Sequence, residues 1–234
     1  MKEEILINTQ LALFFEQQIP RPDELIQGFN QQMNNIFDKI PNIMPIPDGL
    51  NIPDVPIVQL MSKSNVHNCN IAMGRVDFFH TGINKQKFSD IKDIFLVETE
   101  KLYSFFSQKT PIKRIGFVTR FFFEDPEKSR ATATLLNESF KNLFGSEILD
   151  TSIKFVTRIN ILDFEVNNAT FVNSYTAKLP NILEKAGGIL VTRDFSTNPM
   201  QDYSKKFDSD GIKKILTESH TKFNLDKIAH IIWP

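Results

Sequence analysis

The sequence has little that would staple or anchor a fold. It holds one cysteine, Cys69, in 234 residues, so no disulfide can form within the chain, and a reducing compartment is its natural setting. No run approaches the roughly 18 apolar residues of a membrane-spanning helix. The apolar stretch at residues 11–15 is too short for a secretory signal and lacks a small-residue cleavage site. These absences predict a cytoplasmic protein with no membrane partner. Excess charge of one sign is missing too. With 27 Lys+Arg against 28 Asp+Glu and a net charge of −1, the chain is poorly suited to coat nucleic acid. Glycine is scarce at 9 residues, and no Gly-rich phosphate cradle, serine elbow or paired zinc cysteines occurs. No cofactor is implied, and no catalytic signature is visible.

What is abundant is phenylalanine, at 22 residues. Alternation and β-branched content predict strands at 5–15, 57–61, 69–79, 112–124, 153–166, 170–178 and 188–196, with Asn167-Asn168 as a tight turn between two of them. A helix opens at Pro22-Asp23-Glu24 and carries an apolar stripe of Leu25, Phe29, Met33, Ile36 and Phe37. Phe88, Ile91, Phe95, Thr99, Leu102 and Phe106 mark one face of a longer helix, and further helices are expected at 125–144, 209–223 and 226–232. Between 41 and 56, five prolines interleave with Ile43, Met44, Ile46, Leu50, Ile52 and Val55. A solvated linker would be polar, so this segment is expected to lie extended on the domain, with a free arm as the alternative.

The pattern predicts a single α+β domain over 1–234, a largely antiparallel sheet with helices packed mainly on one face. Its halves, about 1–110 and 111–234, echo each other. Phe14-Phe15-Glu16 answers Phe122-Phe123-Glu124, and residues 29–37 answer 136–144. An internal duplication would explain this. Coincident helical period is the alternative.

One repeated element has chemical content. Val-Thr-Arg occurs three times on predicted strands, ending at Arg120, Arg158 and Arg193. Side chains alternate faces along a strand. Phe117, Thr119, Phe121 and Phe123 are thus assigned to the helix-covered face, with Phe155, Thr157, Ile159 and Ile161 beside them. Arg120, Arg158 and Arg193 fall opposite, and Arg75 joins them. Guanidinium forks suit carboxylate or phosphate. The bland alternative is a solvated sheet face on which Asp163, Glu165 and Asp194 neutralise them. Phe14-Phe15, Phe78-Phe79 and Phe121-Phe122-Phe123 put aromatics on both faces, so part of the far face must be covered by chain, by a subunit or by a ligand. Phe122 is the aromatic expected beside Arg120.

Other groups are weaker. His67 and Cys69 face the same way on a strand, but two ligands do not make a zinc site. Asp77 and His80 stand at a strand end where acid–base pairs sometimes sit, though turn polarity explains them. Asp226 and His230 are a helical surface pair, and Asp208-Ser209-Asp210-Gly211 lacks the ligand spacing of a calcium loop.

Three places carry a likeness to a known family: Tyr103-Ser104-Phe105-Phe106 followed by Arg114-Ile115-Gly116-Phe117-Val118-Thr119-Arg120; Leu190-Val191-Thr192-Arg193-Asp194-Phe195; and Phe207-Asp208 leading to Ile212, Leu216, His220 and Phe223. From about residue 57 onward the chain resembles a sporadically distributed prokaryotic family of similar length, whose members are uncharacterised. A helix and the proline segment replace that family's short proline-paired opening. The resemblance implies no reaction and no site residues. Its scattered occurrence implies an accessory or regulatory role in conflict with viruses or mobile elements.

The sequence thus predicts a non-catalytic binding protein. It would use an aromatic and Arg-bearing sheet face (Arg75, Arg120, Arg158, Arg193 and Phe122) to hold a protein partner or a second copy. The alternative is a small anionic ligand or nucleotide between the halves, with or without hydrolysis.

Overall fold

Segments rich in β-branched and aromatic residues form the strands of one nine-stranded sheet. The structure, a computed structural model, describes residues 4–45, 52–124, 152–161, 164–178, 185–198 and 209–221. The strands are β1 (Glu4–Phe15), β2 (Asn42–Ile43), β3 (Val58–Met61), β4 (His67–Ile71), β5 (Arg75–Thr81), β6 (Ile112–Glu124), β7 (Ser152–Ile161), β8 (Phe164–Lys178) and β9 (Lys185–Thr197). Their order across the sheet is β2-β3-β4-β5-β1-β6-β9-β8-β7, and every neighbouring pair is antiparallel. The helices are α1 (Ile26–Gln32), entered through a 3-10 turn at Pro22–Leu25, α2 (Phe88–Ser107) and α3 (Ser209–Thr221).

These helices lie on one face, which makes the expected α+β architecture. Phe88 and Phe95 of α2 meet Phe117 and Phe121 of β6 at ring separations of 6.0–6.5 Å. Phe29 of α1 packs on Phe106, which stacks on Phe15 of β1. Ile212 and Ile215 of α3 join the same buried cluster. The expected inward set Phe117, Thr119, Phe121 and Phe123 is buried.

Three local expectations are corrected. The single strand foreseen at 69–79 is the hairpin β4–β5, closed by the Ala72 N–H donating to the Arg75 carbonyl at 2.8 Å. The turn placed at Asn167-Asn168 is instead the connection between Ile161 and Phe164, which are directly paired. Both asparagines sit inside β8, held between Thr157–Arg158 and Phe195–Ser196. The first helix stops at Gln32 because Asn34 and Asn35 take left-handed φ of 57°, a conformation asparagine tolerates. Asn30 then grips Phe37 with two side-chain hydrogen bonds and keeps it in the core. The helices foreseen at 125–144 and 226–232, with Asp226 and His230, lie outside the described residues.

The ends of the proline segment are docked as expected. The Met44 N–H donates to the Ile57 carbonyl at 2.8 Å, and the Gly74 N–H donates to the Pro53 carbonyl at 2.7 Å. From the centre outward the order is β1, β5, β4, β3, β2 one way and β6, β9, β8, β7 the other. No helix among the described residues is long and apolar enough to cross a membrane.

Candidate functional site

Register decides which predicted residues share a face. Across the sheet, Asn8, Arg120, Thr192, Phe171 and Lys154 form one row on the side away from the helices. Ala12, Gly116, Ser196, Asn167 and Arg158 form another row of that side. Arg120 and Arg158 therefore share the far face as expected. They stand two rows and three strands apart, about 20 Å by strand geometry, and do not form one clamp. Arg75 is also on this face, where it is already engaged. Its Nε and Nη2 both donate to Asp77 at 2.7 Å, and its guanidinium lies over the Phe14 ring. Arg114, which sequence reasoning passed over, covers that ring at 4.5 Å.

Arg193 does not join them. It is paired with Thr119 and Thr170 on the helix-covered face, buried over the Phe195 ring with Nη2 donating to Asn168 Oδ1 at 3.0 Å. Burial pushes its pKa down to about 10. Val-Thr-Arg is spelled alike in β6 and β9 but runs in opposite phase. Phe122 is on the far face and fully buried, its ring pressed over Gly188, so it is no exposed anchor. With Ile5 beside it, also buried, the expected cover over part of the far face is present.

The remaining cations of that face surround Asp194. Burial raises its carboxyl above the ordinary range, opposed by Arg114, a hydrogen bond with Ser196, Arg120 and Lys154. Burial likewise lowers Arg120, against the pull of Asp194, and Arg120 Nη1 donates to Asn8 at 2.9 Å. Arg158 sits 3.3 Å from Glu165. The foreseen neutralisation by Glu165 and Asp194 is thus in place. A carboxyl raised in the folded state adds most stability below its unfolded pKa of about 4, and that contribution is lost as pH rises through the folded value. Asp194→Asn is expected to flatten the fall of stability as pH rises above about 4, the ordinary carboxylate value. Chemical denaturation across that range checks it, and an unchanged slope would contradict the assignment.

On the helix face, sequence reasoning missed a grouping. His67 on β4 and His80 on β5 are direct cross-strand partners, and Glu98 of α2 reaches between them. His67 Nε2 lies 2.8 Å from Glu98 Oε1, and His80 Nδ1 lies 3.1 Å from Oε2. Burial alone would raise the Glu98 carboxyl. The close approach and charge of both imidazoles outweigh it and hold the group below the usual carboxylate range. The expected partners were different ones. Asp77, three residues from His80, faces the other side of the sheet beside Gln10 and Arg75. Cys69 shares the face of His67 but stays outside this cluster, and burial raises its thiol well above the ordinary range. One signal could have found the cluster: Glu98 interrupts the apolar stripe of Ile91, Phe95 and Leu102.

These features define an α+β protein whose sheet carries arginines set against carboxylates on its far face and a largely buried His–Glu–His group on its other side. No protein-family model matches the chain, and no curated protein does.

Proposed function

We propose that the chain is a non-catalytic cytoplasmic binding protein that holds a protein partner, or a second copy of itself, along the Arg-bearing side and open edge of its sheet. The observation that carries this reading is β7. It ends the sheet order, and its residues Lys154 to Arg158 are all exposed, including Phe155 at 47% and Val156 at 53%. Exposed edge strands pair with added strands unless they are short or blocked. The ten residues of β7 offer ladder hydrogen bonds, with one apolar side chain for each face. Lys154 and Arg158 flank them and favour an acidic partner segment. The lone, buried Cys69 is compatible with a reducing cytoplasm.

The test is native mass spectrometry of protein purified gently from its own cells, beside the double variant Phe155→Asp, Val156→Asp. The wild type is expected at a multiple of the chain mass or with a second protein attached. The variant is expected as a bare monomer with unchanged circular dichroism. A bare wild-type monomer, or a variant that keeps its partner, would reject the edge reading.

A second reading, a small anion on the far face, is favoured by Arg114. Its Nε is buried without a hydrogen-bond acceptor among the described residues, and it stands with Arg120 and Lys154 around a single carboxylate. Arg120→Ala should then abolish phosphate binding measured by calorimetry while leaving the fold intact.

A further inference from the structure

We propose that His67, His80 and Glu98 bind a divalent transition-metal ion of the zinc class, at a site separate from the sheet edge invoked above. The donor set is two imidazole nitrogens and one carboxylate, the combination that borderline divalent ions take in three-ligand sites. All the offered atoms lie within 4.8 Å of one another. Ligands on a tetrahedral ion with bonds of about 2.0–2.1 Å stand about 3.3 Å apart. The separations of 2.8 and 3.1 Å to Glu98 need to widen by less than about 1 Å, and the widest pair of offered atoms, up to 4.8 Å apart, needs to close by about 1.5 Å, a side-chain rotation, to admit an ion.

The support is rigid. Each ligand sits on a regular element, and the two histidines face each other across one ladder. The His67 ring stacks on Phe78 and meets His80 edge-on at 4.8 Å. A metal-free alternative is a hydrogen-bonded cluster in which both imidazoles donate to the carboxylate. That alternative is half made. His80 forms its hydrogen bond, whereas the His67 Nε2 approach is close but off the line of a hydrogen bond. An ion between the three groups engages both nitrogens and the carboxylate together.

A groove adjoins the cluster. Glu98 lines a groove of about 420 Å³ between Met33 and Ile36, just beyond α1, and Ile94 and Val97 of α2. Ile94 is 55% and Val97 51% exposed, unusual for apolar side chains on a helix that is otherwise well packed. Asn34, Asp93 and Lys101 complete its lining, and apolar side chains with a few polar groups are the ordinary lining of a small-ligand pocket. A three-ligand site leaves a coordination position for water or an incoming ligand, and the groove reaches the cluster on the Glu98 side.

The test uses the full chain, stripped of metal with a chelator and titrated with Zn²⁺ by calorimetry and histidine NMR. One ion per chain is expected, with two of the four histidine ring signals shifting. His67→Gln and His80→Gln should each remove one of those shifts, and Glu98→Gln should weaken binding at least about tenfold. Cobalt(II) on the wild type keeps the test independent of how well the variants fold. Its paramagnetic effect must be centred on the amides of residues 67, 80 and 98. Substoichiometric binding, or a paramagnetic centre elsewhere, would overturn the site.

Discussion

Phe106→Ala is expected to cost about 3–5 kcal/mol of folding stability, among the largest losses a single truncation in this chain should give. Phe106 is fully buried at the C-terminal end of α2, where three ring contacts converge. It stacks on Phe15 at 5.4 Å, tilts against Phe29 at 5.2 Å and meets Phe105 edge-on at 5.2 Å. Those partners belong to β1, to α1 and to α2 itself, so one ring ties two helices to the sheet. Aromatic pairs of this kind add about 0.5–1.5 kcal/mol beyond their buried area. The space left by the ring cannot collapse without moving two elements towards each other, which puts the cost at the upper end for such a change. In a chain of this size the melting temperature should fall by roughly 10 °C. Urea denaturation checks the prediction, and a loss under about 1 kcal/mol would show that the junction repacks freely.

Gly188→Ala should be nearly as damaging for the opposite reason. A Cβ there would stand 2.1 Å from the Phe123 carbonyl oxygen and 2.7 Å from Phe122 Cζ. The oxygen belongs to the β6 backbone beside the Glu124–Gly188 pairing, so relief requires opening the ladder. Overpacking of this kind costs about 1–3 kcal/mol, and more when backbone must move. Gly28→Ala is the control. Its Cβ would find Phe105 at an ordinary 3.6 Å, and alanine inside α1 should add up to about 1 kcal/mol of helix propensity. Equal effects of the two substitutions in a thermal melt would refute the steric account.

The sheet, its helix-bearing face and the helix boundaries near 88 and 209 were legible because each rests on local period or capping chemistry. Phase between strands was less legible. In β9 the buried residues Ile189, Val191 and Phe195 define an odd-numbered inner series to which Arg193 belongs, yet the repeated Val-Thr-Arg spelling pointed the other way. Identity of a tripeptide carries no phase. The apolar residues around it do. Phe122 was placed on the correct face, but its burial depends on tertiary cover that no strand pattern encodes. The His67–His80–Glu98 grouping needed both a cross-strand register and a helix rotation. Residues 13 and 31 positions from His67 meet only once the β4–β5 turn is known to be tight, and a continuous strand at 69–79 hid that turn.

The placement of β1 has a consequence for how the chain is made. Thr9 and Thr119 share a buried hydroxyl contact 110 residues apart, because β1, the earliest of the described strands, lies at the middle of the sheet. While ribosomal synthesis proceeds, β1 can pair with β5 on one flank, but its other flank stays bare until β6 emerges. Such non-local closure slows folding, and the waiting edge is where an incomplete chain is most prone to stick to its neighbours. Pauses in translation between residues 82 and 112 should therefore lower the yield of soluble protein more than pauses after 124.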